Sequence, residues 1–102
     1  MYKVIAFFIC LVILIQCKKK ETKKAYGPSC GGTKSFVTDV KPLIQNYCVS
    51  CHNSYGTYSG IKSASSSIRS SILDGNMPKG TTLSDDQKNN IICWIDADML
   101  NN

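Results

Sequence analysis

Residues 48–52 read Cys48-Val49-Ser50-Cys51-His52, and the rest of the 102-residue chain is best read around them. Two thiols separated by two residues, with an imidazole directly after the second, form the attachment pattern of a c-type haem. Each position has a chemical task. The thiols add across the two haem vinyl groups, and the two intervening residues let one short turn reach both. His52, next to the second thioether, is held under the ring with its imidazole at the iron. It is also the only histidine in the chain. The competing readings of Cys48 and Cys51 are a structural disulfide or a zinc pair.

The length allows at most one small domain. The formal net charge of +5 hints at anionic partners until it is divided along the chain. Residues 1–24 carry six lysines against Glu21, whereas residues 25–102 balance six basic against six acidic residues. The basicity therefore belongs to the leader and linker. Nothing in the remainder builds the basic face that nucleic-acid binding requires, and that class of function is excluded.

The N-terminal segment has the pattern of an export signal. Lys3 supplies a short basic region, and Val4 to Ile15 is an unbroken apolar run of twelve residues. Such a run suits a signal core and falls short of the ~20 residues a spanning helix needs. Leu14-Ile15-Gln16-Cys17 resembles a bacterial lipobox, although Gln16 stands where a small residue is usual. The expected organisation is a lipoprotein-type signal peptide over 1–16, lipidated Cys17 and a polar tether over 17–29, and a folded domain over 30–102. The Lys18-Lys19-Lys20 run would lie against headgroups, each lysine adding up to about 1 kcal/mol on an anionic surface. An uncleaved N-terminal anchor or an ordinary secreted protein is the alternative. Either route places the domain outside the cytoplasm, facing the periplasm or cell exterior of a bacterium, where haem attachment and disulfides belong.

A unit this small buries a marginal core and usually needs a disulfide, metal or cofactor. Its pattern is all-α. Val40, Leu43, Ile44 and Tyr47 recur at helical spacing, capped by Thr38 or Asp39, with Pro42 tolerable near the first turn. That helix runs straight into Cys48. Asn53 to Gly60 reads as a loop, and Ile61, Ala64, Ile68 and Ile72 mark one face of a middle helix. Gly75 suits the position after a helix end. Asn76 to Thr82 is a loop containing Met77-Pro78. Ser84 and Gln87 form a capping-box pattern for the last helix, with Asp85 and Asp86 in its first turn and Ile91, Ile92, Trp94, Ile95 and Met99 on its buried side.

These features together resemble a single-haem cytochrome c domain of the short type found in bacterial membrane-anchored proteins. The resemblance rests on Val40-Lys41-Pro42, Cys48 to His52, Asp74-Gly75-Asn76-Met77-Pro78-Lys79-Gly80, Leu83-Ser84 and Cys93-Trp94-Ile95-Asp96. It implies a cytochrome c-like fold of three or four helices around one covalently attached haem c. It also implies that Cys48 and Cys51 form the thioethers, with His52 the proximal and Met77 the distal iron ligand. Met99, on the apolar side of the last helix, is the rival sulfur and reads as core filling. Tyr47, Tyr58 and Trp94 are candidates for contact with the haem pocket, as are Tyr55 and Arg69, with ordinary packing the alternative.

Cys10 falls inside the signal and Cys17 is taken by lipid, which leaves Cys30 and Cys93. In an oxidising compartment such a pair tends to bond, tying the tether across the outside of the last helix; two unpaired thiols are the other possibility. The implied function is one-electron transfer by Fe(III)/Fe(II) cycling to a membrane-associated redox partner, a relay and not an enzyme. Two further readings stand beside it. One is a ligand-binding or peroxidase-like haem protein with a labile Met77, the other a haem-free lipoprotein stapled by disulfides.

Overall fold

The computed structural model describes residues 26–102, so the expected signal peptide, Cys17 and most of the tether lie outside the described residues. Among the described residues the regular elements are helical, with no strand, and no helix is long and apolar enough to cross a membrane.

The first helical segment opens at Ser35, not at Thr38. The Ser35 hydroxyl accepts the Thr38 N–H at 3.3 Å, and the Asp39 carboxylate reaches back to accept the Ser35 N–H at 2.7 Å. Phe36–Val40 winds as a π turn closed by the Lys41 N–H on the Phe36 carbonyl, and helix α1 continues over Lys41–Tyr47. Pro42 explains this two-part start. Its ring crowds the carbonyl four residues back and it has no N–H to donate. A wider turn just before it relieves that crowding, so Pro42 sits in the first turn of α1 while the helical path begins earlier. Phe36, Val40 and Ile44, four residues apart, consequently form one buried row.

The middle of the chain is more divided than the isoleucine spacing suggests. Asn53–Gly56 forms a 3₁₀ turn. Thr57 then caps helix α2 (Tyr58–Ser63), its hydroxyl accepting the Gly60 N–H at 3.0 Å. Helix α3 (Ser65–Leu73) follows after a break at Ala64. Ile61 on α2 and Ile68 and Ile72 on α3 still reach the same core. Gly60 makes the close packing of the 3₁₀ turn on α2 possible. A Cβ there would overlap the Ser54 carbonyl.

Helix α4 (Asp85–Asp96) carries the capping box in full. Gln87 N–H donates to the Ser84 hydroxyl at 3.1 Å, and the Gln87 side chain accepts the Ser84 N–H at 2.9 Å. The helix ends at Asp96, earlier than expected, and Met99 lies beyond it with a positive φ of 50°. Trp94 is 1% exposed and stacks near Phe36, ring centres 5.4 Å apart, where the first helical segment meets α4. The chain end returns to this corner. Asn102 accepts the Val37 N–H at 3.0 Å through its main-chain oxygen and the Phe36 N–H at 3.0 Å through its side chain. It thereby satisfies donors that a helix start leaves open.

The arm entering the domain is docked as well, although its last residues read as tether in the sequence. Tyr26 donates its hydroxyl to the Asn89 side chain, which also accepts the Ser29 N–H at 3.2 Å. Lys88 lies over the Tyr26 ring at 4.7 Å. Cys30 and Cys93 are joined in a disulfide with Cα atoms 5.5 Å apart. Cys93 points away from the isoleucine face, as the helical wheel suggests, yet it is buried because the arm covers it. Across the domain, Arg69 of α3 grips Asp96 of α4 through two hydrogen bonds of 2.7 and 3.1 Å.

Candidate functional site

The C-terminal end of α1 delivers the first cysteine. Cys48 and Val49 N–H groups both converge on the Ile44 carbonyl, at 2.9 and 3.1 Å, so the chain tightens into a turn as the helix ends. That turn closes on itself. Cys51 and His52 N–H groups both donate to the Cys48 carbonyl, at 3.2 and 2.9 Å. The two cysteines are thereby carried on one tight loop with His52 at its exit. Cys48 and Cys51 are free thiols, Cys48 half-buried and Cys51 exposed. Burial pushes the Cys48 thiol above its ordinary pKa, since a thiolate loses solvation there.

Met77 comes from a different part of the chain, just after α3. Helix α3 ends in a Schellman motif: Asn76 N–H donates to the Ser71 carbonyl at 3.0 Å and Gly75 N–H to the Ile72 carbonyl at 3.2 Å. Gly75 supplies the left-handed residue, φ 73°, which a glycine adopts without Cβ strain. The same Ser71 carbonyl accepts the Met77 N–H at 3.2 Å, so the methionine is hung from the end of α3.

Cys48, Cys51, His52 and Met77 line a single cavity of about 290 Å³. Its walls are Ile68 and Ile72 from α3, Leu83, and the rings of Tyr47 and Tyr55, with Lys79 at the loop that carries Met77. The imidazole of His52 lies flat against Tyr55, ring centres 4.7 Å apart and planes 10° from parallel.

Tyr58 and Trp94 are placed elsewhere. Tyr58 donates its hydroxyl to the Met99 carbonyl at 2.7 Å, Trp94 donates its indole N–H to the Leu100 carbonyl at 2.8 Å, and both pack on Phe36. Arg69 is taken by Asp96. Reading the sequence for pocket residues missed the part of Ser71, whose backbone carbonyl, not its side chain, places Met77. No residue-type signal announces that role. Ile68 and Ile72 were visible as apolar positions, and their wall function follows from the break at Ala64 and the turn at Gly75.

The donor set can be tested against the cofactor that Cys48 to His52 suggests. Among the described residues, no three histidine, cysteine, aspartate or glutamate side chains gather as they would around a bare metal ion. The cleft instead offers two thiols outside any disulfide, one imidazole and one thioether, against aliphatic and aromatic walls. This set fits a haem, whose ring needs apolar walls, whose vinyl groups consume thiols and whose iron accepts imidazole and thioether. Compared with family models, curated proteins and solved structures, the chain finds no match in any of the three.

Proposed function

We propose that the described domain is a single-haem cytochrome c domain that carries one electron at a time. The observation that carries this reading is the convergence of Cys48, Cys51, His52 and Met77 on one apolar cleft. Cys48 and Cys51 would hold haem c by thioethers, and His52 and Met77 would ligate its iron. When bound, haem supplies an Fe(III)/Fe(II) couple, and a thioether ligand raises its reduction potential.

The chain's own residues do the remainder. Ile68, Ile72 and Leu83 give the cleft apolar walls, while the Ser71 carbonyl holds the Met77 loop in place. With His52 and Met77 both committed to the iron, the domain would serve as a relay and not as an enzyme. The Cys30–Cys93 disulfide supports an exported location, since such bonds persist in oxidising compartments. Attachment to a membrane through lipidated Cys17 would raise the local concentration of a membrane-associated redox partner. With the charges of residues 25–102 in balance, long-range steering contributes little to that encounter.

A second reading, an open ligand-binding or peroxidase-like haem, is favoured by one feature: Met77 sits in a loop whose neighbours Asn76 and Lys79 are exposed. Expression with a haem-attachment system tests both. Covalent haem staining in the wild type, lost when Cys48 and Cys51 are replaced by serine, is the expected result. The ferrous spectrum should be low-spin and unmoved by carbon monoxide. A carbon monoxide complex formed readily by the wild type would favour the open site, and an unstained wild type would overturn the haem reading.

A further inference from the structure

We infer that Tyr55 is a positioning residue for His52, fixing the plane of its imidazole through a stack that the backbone packing at Gly60 holds in place. The role assigned to His52 rests on the cytochrome reading; the stack itself does not.

Three observations combine. The two rings lie 4.7 Å apart and within 10° of parallel, inside the range in which aromatic pairs attract. The Tyr55 N–H also donates to the His52 carbonyl at 2.9 Å, so the ring contact and the backbone contact restrain the same pair. Tyr55 belongs to the Asn53–Gly56 turn, and that turn rests on α2 where Gly60 has no side chain. The neighbouring Ser54 carbonyl occupies the space a Cβ would need. Helix α2 therefore sets the height of the turn, the turn sets the Tyr55 ring, and the ring sets the imidazole.

The consequence concerns tuning. A ligating imidazole has a rotational freedom about its side-chain bonds that its neighbours must remove, and the residues that remove it tune the metal. Here an aromatic face opposes rotation, because turning the ring breaks the parallel contact. A phenyl ring at position 55 would oppose it equally well, whereas an aliphatic side chain would not.

The test compares wild type, Tyr55→Phe and Tyr55→Leu in the full-length chain, held in detergent micelles. In haem-free protein, the His52 ring protons should be displaced upfield in wild type and Tyr55→Phe, and return towards free-histidine positions in Tyr55→Leu. In haem-loaded protein, the low-temperature ferric EPR g values and the midpoint potential should match between wild type and Tyr55→Phe and change in Tyr55→Leu. Identical ring-proton positions, or identical g values, across all three proteins would overturn the inference. A wild type that takes up no haem would instead refute the cytochrome reading, and the ring-proton measurement would still judge the stack.

Discussion

Met77 and Met99 differ in what holds them. Met77 faces the cleft from a loop pinned by the Ser71 carbonyl, whereas Met99 follows α4 and gives its own carbonyl to Tyr58. In haem-loaded protein, Met77→Ala is therefore expected to lose the long-wavelength sulfur-to-iron charge-transfer band and to gain carbon monoxide binding, while Met99→Ala keeps the wild-type spectrum. Persistence of the band in Met77→Ala would falsify the ligand assignment. Gly60 is the other residue on which the site depends. A methyl group there must displace the Ser54 backbone, and overpacking of this kind costs about 1–3 kcal/mol. Gly60→Ala should lower the urea midpoint accordingly. An unchanged midpoint would mean that the 3₁₀ turn can slide on α2, and the support proposed for Tyr55 would be lost with it.

Among the elements, α4 was the most legible in the sequence because its start is written locally. Ser84, Gln87, Asp85 and Asp86 act within one turn, so no distant contact can move the boundary. Ser84→Ala should remove about 1 kcal/mol of stability, read as a lower melting temperature. The end of α4 was not legible. Met99 continues the apolar spacing, but Asp98 and Met99 turn left-handed so that the tail can reach the start of the first helical segment. The start at Ser35 was obscured by Pro42, since a π turn leaves no mark in apolar periodicity. The cleft walls were legible as apolar residues and illegible as walls, because Ala64 and Gly75 redirect α3 in ways that spacing does not encode.

The docked arm adds a pH dependence at the same scale. Burial, and then the charge of Asp85, raise the Tyr26 phenol above its ordinary 10.0. The folded state thus holds this proton more tightly than the unfolded chain does. Its contribution is complete below the unfolded value and disappears as pH rises through the folded one. Stability should fall in that alkaline window for the wild type, and Tyr26→Phe should flatten the fall. Parallel curves for the two proteins would count against the Tyr26–Asn89 contact.

At the scale of the whole molecule, Cys30 and Cys93 stand 63 residues apart and enclose every residue of the cleft between them. In the loop-entropy account such a bridge contributes about 2–4 kcal/mol, and the Cys30→Ser, Cys93→Ser double variant should lose an amount of that order in urea titration. Mass measurement on haem-free protein should find Cys48 and Cys51 alkylated before reduction, and Cys30 and Cys93 only after it. The enclosure also bears on how the domain survives cutting. Lys79 to Thr82 is an exposed stretch between the Met77 loop and α4, open to a protease. A single cut there would separate Cys48, His52 and Met77 from α4 in sequence, but the bridge would keep both pieces in one covalent body. The nicked protein would run as one band without reductant and as two with it, and its halves would remain close enough to reassemble.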